Sequence, residues 1–130
     1  MNSQVILIDD NTEDNVTHEA LIRSWNNDID ISIIDNSEEA LRFLKREFSG
    51  NNYSNKRTTV FLDEIMPYLE GMELTEYIER MKIEDNEDIE VYFLTSRNSD
   101  ILMMKIAMMP VVKKVIHKPL TSASLAQIFA

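Results

Sequence analysis

Polar side chains that could do chemistry stand at the ends of apolar runs in this sequence. They comprise three carboxylates, a hydroxyl and an ammonium: Asp9, Asp10, Asp63, Thr95 and Lys118. Asp63 is the most demanding of them, because it ends the apolar run TTVFLD (58–63). A lone carboxylate at the end of a buried strand either pays a large desolvation cost or becomes neutral. Asp63 therefore needs partners from elsewhere in the chain.

These five side chains together would suit phosphoryl transfer. Clustered carboxylates repel one another and raise each other's pKa unless a cation lies among them. Mg²⁺, or Mn²⁺ in its place, is the natural cation because both ions prefer oxygen ligands. Asp63 is the candidate nucleophile, and Asp9 and Asp10 are candidate metal ligands. Lys118 would neutralise charge on the phosphoryl oxygens, and Thr95 would offer a hydroxyl donor.

The elements that must position these side chains alternate along the chain. Apolar runs rich in Val, Ile and Phe predict strands at 5–8, 29–34, 58–63, 89–95 and 114–119. Segments with helical periodicity predict helices at 14–26, 36–48, 70–81, 99–109 and 122–130. This order predicts an α/β fold, a doubly wound five-stranded parallel sheet with helices on both faces. In such a sheet the functional crevice lies at the carboxyl ends of the strands, where the polar set falls.

The first two helices carry more specific expectations. In the first, Val16, Ala20 and Trp25 lie near one face and are expected to pack inward, whereas His18 is expected in solvent with no special role. In the second, Asn36 stands three residues before Glu39, a spacing that is typical of a helix N-terminus.

Composition bounds the class of protein. The chain has 130 residues and a formal net charge of −10, which argues against binding to the nucleic-acid backbone. It contains no cysteine, which excludes disulfides and thiolate metal sites. No signal peptide and no membrane-spanning segment is recognisable. We therefore expect a soluble, cytoplasmic single domain.

Four short motifs give the chain a resemblance to a known family. They are LIDDN (7–11), LDEIMPYLEGMEL (62–74), FLTS (93–96) and HKPL (117–120). In this order, at these strand ends, they resemble the acidic pair, the phosphorylation site, the switch threonine and the Lys-Pro of response-regulator receiver domains. The resemblance covers essentially the whole chain. It implies a flavodoxin-like (βα)5 receiver fold and a single receiver domain over 1–130 with no effector domain.

The resemblance also implies roles for the acids. Asp63 would accept a phosphoryl group from a histidine kinase or a histidine phosphotransfer protein. Asp10, Asp63 and the backbone carbonyl of Ile65 would bind Mg²⁺ directly, and Asp9 would act partly through water. Ile65 also lies where the family varies and tunes the lifetime of the phosphoryl group.

The remaining roles depend on the last two strands. By the resemblance, Thr95 would hydrogen-bond the phosphoryl group and Lys118 would pair with it. In the family the threonine is coupled to an aromatic side chain three residues before the lysine, and here that position is Val115. A second departure is MMPVVKK (108–114), where the family usually has a Gly-Ala pair.

Two other functions fit parts of the sequence. One is a receiver-like pseudo-domain that docks a partner without being phosphorylated, which the departure at Val115 keeps open. The other is a phosphatase of the haloacid-dehalogenase type, which forms an aspartyl-phosphate intermediate. Such enzymes normally carry a second acid two residues after the nucleophile, where this chain has Ile65.

The fourth predicted helix suggests an interaction surface. It is apolar nearly all round and rich in methionine, which one buried face does not require. In the family, partners and dimer mates use the face formed by the fourth helix, the fifth strand and the fifth helix. We therefore expect a homodimer or an output partner on the face 99–109, 114–118 and 122–129, and no nucleic-acid or membrane partner.

Overall fold

The computed structural model describes residues 3–48, 57–63, 74–80, 88–96, 103–104 and 108–129. Of the predicted elements, most of the helix at 99–109 lies outside these residues, as do the loop after Asp63 and residue Ile65. Within the predicted helix at 70–81, residues 74–80 are described and are helical.

Five strands form one sheet in the order β2-β1-β3-β4-β5, and every neighbouring pair is parallel. Their bounds are β1 Ser3–Ile8, β2 Asp30–Ile34, β3 Arg57–Asp63, β4 Ile89–Thr95 and β5 Val112–His117. The predicted doubly wound sheet is confirmed. The largest difference is at the last strand, which begins two residues earlier than predicted and ends before Lys118.

The continuous apolar runs of the strands bury both faces of the sheet. One buried cluster includes Ile6, Val60 and Phe93, and the other includes Leu7 and Phe61. Neighbouring residues of each strand belong to different clusters because side chains alternate between the faces. Burial on both faces is what makes parallel strands read as unbroken apolar runs rather than alternating ones.

The helices with printed bounds are α1 (Thr12–Trp25), α2 (Ser37–Phe48) and a C-terminal helix (Ser122–Phe129). The predicted start of α2 is confirmed, since the Asn36 side-chain oxygen accepts a hydrogen bond from the backbone N–H of Glu39 at 2.8 Å. Ala40 and Leu44 of α2 are fully buried against the sheet. None of the helices in the described residues has the length and apolar content that crossing a bilayer requires.

The predicted inner face of α1 is wrong. Val16 is 59% exposed and Trp25 42% exposed, whereas Asn15, His18 and Ile22 are the buried residues of the helix. The expectation that His18 is solvated is therefore also wrong. One polar atom of each buried residue has a partner there, since the side-chain N–H of Asn15 donates to the carbonyl of Asp9 and Nε2 of His18 accepts the backbone N–H of Leu120.

The topology fixes where the polar strand ends meet. From β1 the chain crosses to β2 on one side, and β3 then lies on the other side of β1. Such a reversal of strand order opens a crevice at the carboxyl ends of the two central strands. Asp9 follows β1 directly and Asp63 is the last residue of β3, so both lie at this crevice.

Candidate functional site

The three predicted acids come together at the carboxyl ends of β1 and β3. One carboxylate oxygen of Asp9, one of Asp10 and one of Asp63 lie within 4.8 Å of one another. Asp9 is buried, Asp63 is half-buried and Asp10 is exposed, so the cluster runs from the sheet edge out to solvent. Asp9, Asp10, Asp63, Ser96 and Lys118 are among the residues that line the cleft, whose volume is about 450 Å³.

Lys118 reaches into this cluster from beyond the end of β5. Its Nζ lies 2.8 Å from a carboxylate oxygen of Asp9, 2.9 Å from one of Asp14 and 3.3 Å from one of Asp63. The backbone N–H of Lys118 donates to the carbonyl of Thr95 at 2.7 Å, which ties the segment after β5 to the end of β4. The peptide bond between Lys118 and Pro119 is cis.

Asp9 is fixed by the start of α1. One carboxylate oxygen accepts the backbone N–H of Asn11 at 2.9 Å, and the other accepts Lys118. The backbone carbonyl of Asp9 accepts the side-chain amide of Asn15 at 2.8 Å. Both carboxylate oxygens of Asp9 thus already have donors, which suits the predicted contact with a metal through water.

One ammonium does not offset the charge of the acids around it. Burial first, and then the charge of Asp9, raise the pKa of Asp63 to about 6, against the opposing effect of Lys118. Burial alone would lower the pKa of Lys118, but hydrogen bonds to Asp9 and Asp14 and the charge of Asp63 raise it above its usual range. Lys118 therefore stays charged, whereas burial disfavours the charged form of Asp63.

The donor set of the cluster fits a hard divalent cation. It consists of carboxylate oxygens from one buried, one half-buried and one exposed acid, and carboxylate oxygens are the ligand type that Mg²⁺ and Mn²⁺ prefer. The raised pKa of Asp63 is the second sign of fit, since a cation beside it would stabilise the charged carboxylate that burial, and then the charge of Asp9, disfavour.

Thr95, the last residue of β4, and Ser96, which follows it, lie in different surroundings. Thr95 is 4% exposed, pairs with His117 across the β4–β5 register and offers its carbonyl to Lys118. Ser96 lines the cleft. Val115, at the position of the family's aromatic side chain, lies beside Phe93 in β4 and is half-buried against the core.

Sequence reasoning missed four residues of α1 and the turn before it, namely Asn11, Asp14, Asn15 and His18. The spacing of Asn11 and Asp14 could have located this helix start, because a capping residue accepts from the N–H three positions later. In the structure, Asn11 accepts the backbone N–H of Asp14 at 3.0 Å. No sequence signal indicates that the Asp14 side chain meets Lys118, more than a hundred residues away.

His18 joins α1 to the segment that follows Lys118. Its Nε2 accepts the backbone N–H of Leu120 at 3.4 Å, so the ring proton belongs on Nδ1. Nδ1 is buried without a hydrogen-bond partner among the described residues. Burial lowers the pKa of His18, against the opposing charges of Asp14 and Asp9. The imidazole is therefore held neutral.

We expect His18→Gln to reduce the loss of stability on acidification. The pKa of His18 is lower in the folded chain than its ordinary value of 6.5, so its contribution is present above that pH. The contribution is lost as the pH falls below 6.5, because the unfolded chain then binds the proton more readily. Glutamine can keep an acceptor for Leu120 without titrating. Urea unfolding at pH 7.5 and pH 5.5 would measure the difference.

His117→Gln is the control for this prediction, since His117 is exposed. We expect it to leave the pH dependence of the wild-type protein unchanged. Equal pH dependence in His18→Gln and in the wild-type protein would contradict the prediction.

Comparisons with known proteins agree with the fold. The sequence pattern of the family described as "Response regulator receiver domain" matches residues 5–130. No curated protein matches the chain.

Solved structures share its fold at low sequence identity. A two-component response regulator from Cytophaga hutchinsonii is similar at a TM-score of 0.83 and 21% identity, with 98% of this chain and 94% of that one covered. The signal receiver domain of a DNA-binding response regulator from Colwellia psychrerythraea has a TM-score of 0.79 and 18% identity, over 98% and 94% of the two chains.

A third similar structure is the receiver domain of Ssk1 from Saccharomyces cerevisiae, solved with the histidine phosphotransfer protein Ypd1. Its TM-score is 0.73 and its identity 19%, over 98% of this chain and 86% of that one. These likenesses confirm the flavodoxin-like fold. With the family match over residues 5–130, they lead to one conclusion: this chain belongs to the response-regulator receiver family of two-component signalling.

Proposed function

We propose that this chain is a phosphoacceptor that takes a phosphoryl group on Asp63 from a histidine kinase or a histidine phosphotransfer protein. In doing so it would switch a partner or relay the group onward. The observation that carries the proposal is the Lys118 ammonium, which lies within 3.3 Å of Asp63 at the open end of the sheet. The protein takes part in its own phosphorylation and dephosphorylation but turns over no separate substrate, so we do not class it as an enzyme.

The proposed reaction is a transfer between two residues. A carboxylate oxygen of Asp63 forms a bond to phosphorus, and the bond from phosphorus to the imidazole nitrogen of the donor histidine breaks. The electron pair of that bond stays with the departing imidazole, and an acyl phosphate remains on Asp63. Lys118 acts by offsetting charge on the phosphoryl oxygens, while the rigid strand ends hold the carboxylate in position.

Mg²⁺, or Mn²⁺, would be held by Asp10, Asp63 and the backbone carbonyl of Ile65, with Asp9 partly through water. When bound, the ion neutralises the acids and the negative charge of the phosphoryl group. Thr95 would hydrogen-bond the phosphoryl group after transfer. Ser96 supports access to the site, since its small side chain lines the cleft.

A partner surface is part of the proposal. Met103, Met104 and Met108 are 53%, 72% and 84% exposed, which is unusual for large apolar side chains. They belong to the predicted face 99–109, 114–118 and 122–129, where we propose that an output partner or a second copy binds. Lower hydrogen exchange on this face in the presence of a phosphoryl mimic, together with a dimer mass in light scattering, would support a second copy as the occupant.

The test of the proposed function is chemical modification. We expect the protein mixed with Mg²⁺ and acetyl phosphate to gain the mass of one phosphoryl group, with acetate as the leaving group. Asp63→Asn should abolish the gain, because the amide is a far weaker nucleophile. Asp28→Asn, which changes an exposed acid away from the cleft, is the matched control and should be modified like the wild-type protein.

Other outcomes would contradict the proposal. A wild-type protein that is never modified would favour docking without phosphorylation. Steady release of phosphate from small phosphate esters would favour a phosphatase. Modification that persists in Asp63→Asn would place the acceptor elsewhere.

A further inference from the structure

Lys118 has an acceptor that the proposed phosphoryl transfer does not use. The Asp14 carboxylate, in the first turn of α1, lies 2.9 Å from Nζ of Lys118. We propose that Asp14 is a positioning residue that holds Lys118 in the unphosphorylated protein and competes with the phosphoryl group for its ammonium. This inference rests on the proposed phosphorylation of Asp63.

Competition follows from the number of donors. A lysine ammonium has three N–H groups, and its three carboxylate neighbours here lie at 2.8, 2.9 and 3.3 Å. Each donor therefore has an acceptor already. A phosphoryl group on Asp63 adds oxygens that accept strongly, so Lys118 can turn a second donor to them only by leaving Asp9 or Asp14.

The backbone hydrogen bonds at the start of α1 do not use the Asp14 carboxylate, which can therefore accept from Lys118. In a capping box, the acidic residue at this position reaches back to the N–H of the capping residue. Here the N–H of Asn11 donates to Asp9 instead. The backbone N–H of Asp14 is held by the Asn11 side chain, so the Asp14 carboxylate is placed beside Lys118 by the helix start itself.

Burial decides which acceptor Lys118 would leave. The Asp9 side chain is 3% exposed, and a carboxylate that is buried without its cation is strongly disfavoured. The Asp14 side chain is 36% exposed, so water can replace the ammonium there at little cost. Asp14 is therefore the contact that breaks.

A second contact keeps the backbone in place while the side chain moves. His18, one helical turn after Asp14, accepts the N–H of Leu120. Because this bond does not involve the ammonium, the segment after β5 stays attached to α1. The exchange at Lys118 is then a change of side-chain partner rather than a movement of the loop.

The test measures the affinity of the protein for beryllofluoride, a phosphoryl mimic, at saturating Mg²⁺. Removing the competing acceptor in Asp14→Asn should tighten binding about threefold to fivefold, the factor expected for losing one exposed ion pair. Glu13→Gln is the matched control, because it removes the same charge from an exposed acid one residue earlier in the same turn. We expect it to change binding by less than a factor of two, roughly the effect of a screened surface charge.

A second measurement needs no metal and no mimic. Urea unfolding of the wild-type protein, Asp14→Asn, Lys118→Met and the double variant gives the coupling between the two side chains. We expect Asp14→Asn to lower stability when Lys118 is present and to raise or leave it unchanged in Lys118→Met. Additive effects would show that the pair does not form and would overturn the inference.

The outcomes separate the inference from the proposed function. If the wild-type protein does not bind beryllofluoride, the phosphoacceptor proposal fails and the competition falls with it. If the wild-type protein binds but Asp14→Asn binds equally or more weakly, only the competition is overturned. Equal tightening in Asp14→Asn and Glu13→Gln would also overturn it, because the effect would then be one of overall charge.

Discussion

Replacing Asp63 by asparagine should make the metal-free protein more stable at pH 7.5, raising its free energy of unfolding by roughly 2 to 3 kcal/mol. The pKa of Asp63 is raised from 3.8 to about 6, first by burial and then by the charge of Asp9. Each unit of such a shift corresponds to about 1.4 kcal/mol between the charged and neutral forms. Asparagine removes the disfavoured charge and keeps nearly the same shape.

The sign of the pH dependence follows from the same shift. Because the folded pKa of about 6 lies above the unfolded value of 3.8, the charged Asp63 destabilises the fold fully above pH 6. This penalty disappears as the pH falls through 6 towards 3.8. The stability advantage of Asp63→Asn should therefore shrink on acidification.

Denaturant unfolding in a chelator, from pH 7.5 to pH 4.5, would measure this advantage. Asp28→Asn is the control, since Asp28 is exposed. An Asp63→Asn protein that is less stable than the wild-type protein at pH 7.5 would contradict the argument, because the carboxylate would then be favourable where it lies.

Replacing Lys118 by methionine should have the opposite effect on the metal-free protein, lowering its free energy of unfolding by roughly 3 kcal/mol. Lys118 is the cation in contact with Asp9, Asp14 and Asp63. Methionine fills a similar volume but leaves these acids facing one another without the ammonium of Lys118. Breaking a buried ion pair from one side is costly because the remaining charge stays in place.

Saturating Mg²⁺ should narrow this loss, because the ion supplies a second source of positive charge at the acids. Unfolding of Lys118→Met in chelator and in Mg²⁺ would show both effects. Lys113→Met, at an exposed lysine of β5, is the matched control and should be close to the wild-type protein in both conditions. An equal loss in the two variants would mean that Lys118 acts only through the net charge of −10.

The sheet and the strand-end residues could be predicted because they follow from local patterns. A strand buried on both faces has to be a continuous apolar run, and a polar residue directly after such a run has to lie at the edge of the sheet. Because all five strands are parallel, their carboxyl ends lie at the same edge of the sheet. The sequence thus places Asp9, Asp63 and Lys118 at one edge of the sheet, although it does not give the distances between them.

The orientation of α1 could not be predicted in the same way. Val16, Ala20 and Trp25 are the apolar residues that helical spacing suggests for its buried face. Spacing alone cannot show that hydrogen-bond partners lie beside the other face. Asn15 and His18 are buried because the carbonyl of Asp9 and the N–H of Leu120 lie where the helix docks. Leu120 lies about a hundred residues after His18 in the chain, so only the tertiary structure reveals this partner.

The unusual inner face of α1 also affects how firmly the helix is held. Ile22 is its one fully buried aliphatic side chain, whereas α2 buries both Ala40 and Leu44 completely. Hydrogen bonds from Asn15 to Asp9 and from Leu120 to His18 supplement this small apolar contact. An element with few buried apolar contacts opens locally at a lower free energy than the whole domain. We therefore expect the backbone amides of α1 to exchange faster than those of the two central strands, which hydrogen exchange of the unphosphorylated protein would measure.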